Sequence, residues 1–232
     1  MRTKFGTYVN VDLSKPEGIK HAHDLYLLYQ PPSKLRVDGI ATPLLHEVAN
    51  KLLDASINRG KIYMMIPNPQ DYVYSIYAFL QSGTWLSKVQ TVTNPNPYAT
   101  MSFQDYCKEN RPEFNLLAKS LTGNFDEALT FADLEVAKQL LRQKVLVGLV
   151  ENRQTSLARF QSYFGVSLLQ PSTPECARAP LNWPPATTTS QNSIPLSELE
   201  KGIQSCCQLD LALYQYAKQL FIDQELLYPS SI

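Results

Sequence analysis

The chain has 232 residues, 44% of them hydrophobic and 18% charged, with 21 Lys and Arg set against 21 Asp and Glu. That composition belongs to a globular protein with a sizeable core and excludes a disordered tail, a collagen-like repeat and a coiled coil. The balanced charge supplies no global field to draw the chain onto nucleic acid or an anionic membrane, so any anion site has to be local.

The first forty residues carry two short β-prone runs, Thr7 to Asp12 and Asp24 to Tyr29, separated by Pro, Gly and Lys breaks, and both are expected to be strands. Thr42-Pro43 opens an amphipathic helix through Leu44, Leu45, Val48, Leu52 and Leu53 that ends near Asn58-Arg59-Gly60. Lys61 to Ile66 follows as a continuous apolar run, the pattern of a strand covered on both faces in a parallel sheet. Pro67-Asn68-Pro69 stops it, and Val73, Ile76, Tyr77 and Leu80 then recur at helical spacing.

Residues 82 to 100 read as a loop containing Asn94-Pro-Asn-Pro97, and Ser102-x-x-Asp105 signals a short helix. A further helix is expected over Pro112 to Leu121, and Thr130-x-x-Asp133 opens a helix through Leu134, Ala137, Leu140 and Leu141. Val145 to Val150 is strand-like, and Asn152 to Phe164 is helical. Residues 165 to 195 gather Pro, Ser and Thr into a long loop, and residues 196 to 228 form C-terminal helices docked through Leu209, Leu213, Tyr216, Ala217, Leu220 and Leu227. The alternation predicts a single α/β domain over residues 1–232, with a mostly parallel sheet flanked by helices. Ligands of such sheets sit past the carboxyl ends of the strands, which directs attention to the loops after Ile66 and Val150.

No apolar run approaches the roughly 20 residues needed to cross a bilayer. The opening Met1 to Tyr8 lacks the apolar core of a secretory signal, and the chain contains no Asn-X-Ser/Thr acceptor, so as written a cytoplasmic location is expected. Cys107, Cys176, Cys206 and Cys207 form no Cys-x-x-Cys, which makes a disulfide framework or zinc site a poor reading and reduced thiols the better one.

Five segments taken in order resemble the carbohydrate sulfotransferases, in particular the heparan sulfate and uronyl 2-O-sulfotransferase branch. They are His21-Ala-His23, Ile66 to Tyr77, Glu113 to Thr122, Val147-Gly-Leu-Val-Glu151 and Leu209 to Phe221. The resemblance implies a fold like that of the P-loop kinases, incomplete at the N-terminus. It also implies transfer of a sulfuryl group from 3′-phosphoadenosine 5′-phosphosulfate to a hydroxyl of a carbohydrate acceptor, with no metal.

By that resemblance His23, then His21, are candidate catalytic bases, Ser75 is the contact to the donor's 3′-phosphate, and Asn115 and Lys119 face the acceptor. Histidine titrates in the right range for such a base, and two imidazoles two residues apart on an extended segment project from one face. Serine can donate to a phosphate oxygen, although a helical serine bonds its own backbone just as readily. Golgi residence is likewise what the resemblance implies.

Two departures from the family pattern weaken catalysis. The expected Arg-Asp-Pro reads Pro67-Asn68-Pro69, and the next basic position is Tyr72, so the guanidinium that would grip phosphate is gone. The Lys-containing strand-loop-helix that would cradle the 5′-phosphosulfate is missing upstream of the histidines, where Lys15-Pro16-Glu17-Gly18 does not match it. The alternatives are therefore a noncatalytic glycan- or protein-binding module on the same fold, or a purely helical interaction module, which would contain no parallel sheet.

Overall fold

The computed structural model describes residues 11–25, 40, 42–52, 61–84, 86, 96–165 and 194–226. In chain order the elements are α1 (Pro16–Asp24), α2 (Leu45–Leu52), β1 (Ile62–Ile66), α3 (Pro69–Ser82), α4 (Phe103–Lys108), α5 (Leu116–Thr122) and α6 (Phe131–Lys144). They continue with β2 (Val145–Leu149), α7 (Arg153–Phe164), α8 (Leu196–Cys206), α9 (Gln208–Asp223) and a 3-10 turn, Gln224–Leu226. The described chain is mostly helical around one small sheet, in which β1 and β2 run parallel in register from Ile62 opposite Val145 to Ile66 opposite Leu149. This is compatible with the α/β class, and the parallel pair removes the purely helical alternative.

Local chemistry accounts for most boundaries. Asn68 accepts from the Gln70 N–H, Pro69 occupies the first helical position, and α3 closes on Gly83 with φ of 65°, a left-handed cap suited to glycine. Ser102 caps α4, and Thr130 with Asp133 completes a capping box on α6. The C-terminal helices expected from the apolar pattern are two, α8 and α9, which meet at Cys207.

Every residue of β2 is buried, whereas β1 is buried only at Ile66 and half-buried before it. The strand covered on both faces is therefore β2. Val145, Val147, Leu149 and Ile66 pack with Leu134, Ala137 and Leu141 of α6 and with Leu213, Ala217 and Phe221 of α9. A second, aromatic cluster joins Val73, Tyr74 and Tyr77 of α3 to Phe103, Tyr106 and Cys107 of α4 and Ile203 and Cys206 of α8. Gly148 is needed where it stands, because a Cβ there would come within 2.7 Å of the Met65 sulfur and run into the Tyr63 hydroxyl.

The sheet is closed on the β2 side by side chains rather than by a third strand. The N–H of Val150 bonds Ile66, so Val145, Val147 and Leu149 turn their backbone groups away from β1. The Gln224 carboxamide accepts from the Val147 N–H at 2.9 Å and donates to the Val145 carbonyl at 2.8 Å, in the manner of a peptide group. Ser156 accepts from the Leu149 N–H and donates to its carbonyl, both at 2.9 Å. The Val145 N–H bonds Leu141. The sheet does not extend past β2 on this edge, and among the described residues the expected mostly parallel sheet is a pair.

The N-terminal expectation also needs correction. Val11 and Asp12 are irregular, Asp24 closes α1 with Leu25 as its cap, and the rest of the two expected strands lies outside the described residues. His21-Ala-His23, expected on an extended segment, is the last turn of α1. Pro16 at the first turn and Glu17 beside the positive helix end start that helix, and Ile19 and Ala22, three apart, bury against Val48 and Leu52 of α2.

Candidate functional site at the carboxyl ends of the strands

The turn after β1 and the turn after β2 emerge side by side, since Ile66 pairs with Leu149. The first turn delivers Asn68 and Asp71 at the start of α3, and the second delivers Glu151 just ahead of α7. Tyr214 reaches the same place from α9 and is buried, with its hydroxyl donating to the Glu151 carboxylate. Asp71 and Glu151 are both exposed at the rim.

Two carboxylates, Asp71 and Glu151, lie near enough to interact here. Burial first and the Glu151 carboxylate second push Asp71 above the ordinary carboxylate value. Tyr214 is pushed up by burial, then by its bond to Glu151, by the Glu151 charge and by Asp71. Arg153 opens α7 two residues beyond Glu151 and is partly buried.

The residues singled out from sequence fall elsewhere or are otherwise engaged. His21 and His23 are exposed on α1, where a two-residue offset separates side chains by about 200° around the axis, so they do not share a face. The Nδ1 of His23 lies 2.9 Å from the Lys51 carbonyl and ties α1 to the end of α2. The histidines' helix packs on α2, whereas the helix of Ser75 packs in the aromatic cluster with α8. Ser75 Oγ donates to the Asp71 carbonyl at 2.6 Å. A hydroxyl has one hydrogen to give, so in this arrangement Ser75 offers none to a phosphate.

Asn115 is engaged through both ends of its amide. Its Oδ1 accepts from the N–H groups of Leu209 and Asp210 at 3.1 Å each, and its Nδ2 donates to the Cys206 carbonyl at 3.2 Å. Asp210 answers by accepting from the N–H groups of Leu117 and Ala118 at 3.1 and 2.9 Å. Asn115 thus locks α5 to α9. Lys119 donates to the Pro112 carbonyl at 3.2 Å.

The loops after Ile66 and Val150 singled out from the sequence carry Asp71 and Glu151, but neither Asp71 nor Tyr214 was singled out as a site residue. Asp71 is encoded in the Pro67–Tyr77 segment and was legible as an acidic residue in the first turn of a helix leaving a strand. Tyr214 had no local signal, because its role depends on α9 crossing the strand ends. Among the described residues no group of His, Cys, Asp and Glu could hold a metal ion, and no helix is long and apolar enough to cross a membrane. No family model, curated protein or solved structure matches this chain.

Proposed function

We propose that this chain is a degenerate relative of the carbohydrate sulfotransferases that holds a carbohydrate without transferring a sulfuryl group to it. The ordered motifs from His21 to Phe221 support the ancestry, and the strand, turn and helix from Ile62 to Ser82 is compatible with the P-loop-kinase-like plan it implies. One observation carries the loss of transfer: the Asp71 and Glu151 carboxylates stand together at the strand ends, with the Tyr214 hydroxyl donating to Glu151. A phosphosulfate donor needs cations and N–H donors there. Pro67 stands where the gripping arginine is expected, and the Ser75 hydrogen is spent on its own helix.

The test is an incubation of the full chain with 3′-phosphoadenosine 5′-phosphosulfate carrying a labelled sulfur and a panel of heparan, chondroitin and neutral oligosaccharides. The reading predicts no label on any acceptor together with measurable binding of at least one oligosaccharide. Labelled product that disappears in a His23→Ala variant would restore the enzyme and overturn the proposal.

A further inference from the structure

The two edges of the sheet differ. Gln224 and Ser156 occupy the outer backbone groups of β2. On β1, the Ile66 carbonyl accepts from the Val150 N–H, so Ile62, Met64 and Ile66 direct their backbone groups toward β2. Tyr63 and Met65 direct theirs to the opposite side, where these N–H and carbonyl groups have no partner among the described residues. Within Ile62–Ile66 there is no proline, charge or bulge, the devices by which proteins blunt an open edge.

That edge is self-complementary. A second copy laid antiparallel along it, on a two-fold axis through Met64, sets Tyr63 of each copy opposite Met65 of the other. Residues so opposed exchange both of their N–H···O bonds, so every outward group of Tyr63 and Met65 is paired and none is left over. Met64, whose own groups face β2, becomes the intervening pair without hydrogen bonds, where the two chains come closest. Charge favours the same direction. Lys61, exposed at the start of β1, meets the far end of the other copy's strand, where Asp71 and Glu151 are exposed. Its bond to the Tyr163 carbonyl at 2.6 Å uses one ammonium hydrogen and leaves the others to give. A parallel copy in the same register would set like charges together.

We propose that the open edge of β1 is the interface of a two-fold dimer, in which two copies of this chain join their sheets in the order β2-β1-β1-β2. An isologous contact of this kind consumes both open edges at once and stops at two copies. Because side chains close β2, the joined sheet offers no edge to a third chain. The dimer is independent of whether the chain holds a carbohydrate.

The experiment is sedimentation equilibrium of the full chain across a range of concentrations, repeated on Met65→Pro, together with mild air oxidation of Met64→Cys and of Lys61→Cys as its control. The expected result is a monomer–dimer equilibrium that Met65→Pro weakens at least tenfold, since proline takes one outward N–H from each copy and leaves the bonds to β2 intact. Met64→Cys is expected to form a disulfide-linked dimer, because the Cα atoms of such a pair lie about 4.5 Å apart, within disulfide reach. Lys61→Cys, which falls opposite Pro67, is expected to link no more than the parent does. Should Met65→Pro fail to fold, the Met64→Cys linkage decides alone. A dimer that folded Met65→Pro leaves unweakened, or that Met64→Cys does not link, lies on another surface and overturns the proposal. Assembly beyond two copies overturns it, as does a monomer at every concentration. Slow hydrogen exchange at Tyr63 and Met65 in that monomer would assign the edge to another segment of the same chain.

Discussion

Asn115 and Asp210 each satisfy the first turn of the helix on which the other is positioned, α9 and α5 respectively. Asn115 also sits at φ of 53°, a left-handed conformation that asparagine tolerates better than most residues. Asn115→Ala removes the acceptor of two N–H groups and leaves a strained backbone, so it is expected to destabilise the fold by about 2–3 kcal/mol in urea unfolding. A loss below about half a kcal/mol would contradict the capping role.

Asp210 adds a pH dependence. Burial raises its carboxyl to about 6, despite the two N–H bonds that pull it down. Between about pH 4, where the unfolded carboxyl titrates, and pH 6, the native state holds the proton that the unfolded state has lost. The Asp210 contribution is therefore complete below about pH 4 and declines as pH rises to 6. Urea midpoints measured across that window are expected to show the decline in the parent and a flatter profile in Asp210→Asn. A parent profile that rises because of Asp210 would reverse the sign and refute the burial argument.

At the scale of elements, the two-stranded sheet depends on Gln224 standing in for a third strand. Its carboxamide takes one N–H and one carbonyl of a fully buried strand. Gln224→Ala strands both groups and is expected to cost about 2–4 kcal/mol, measured by chemical denaturation. An unchanged stability would mean that the β2 edge finds other partners. The helices that carry caps within their own sequence, α3 at Asn68, α4 at Ser102 and α6 at Thr130, were legible to within a residue. So was β2, whose apolar run is short and abruptly bounded.

The histidine segment was misread for a definable reason. Its two-residue spacing matches a strand, but burial of Ile19 and Ala22 against α2 has a three-residue spacing and decides the conformation. The extent of the sheet was also beyond local pattern, since what ends it is a glutamine 77 positions away in sequence from Val147.

For the whole molecule, the useful inference from sequence was topological: parallel strands followed by helices place a site at their carboxyl ends. The chemistry of that site was only half legible. That the turn Pro67-Asn68-Pro69 carries no cation could be read directly, whereas the pairing of carboxylates required Glu151 to be brought beside Asp71 by the fold. Losing one charge-assisted contact alone weakens a phosphate ligand roughly ten- to a hundredfold, and carboxylates in its place weaken it further.

The central claim is that the crevice past β1 and β2 does not accept the anionic donor. Its most direct test is calorimetric titration of the full chain with 3′-phosphoadenosine 5′-phosphate at low ionic strength, where electrostatic attraction is strongest. The account predicts no saturable heat below millimolar concentration in the parent and in Ser75→Ala alike. Micromolar binding in the parent, weakened by Ser75→Ala, would contradict it.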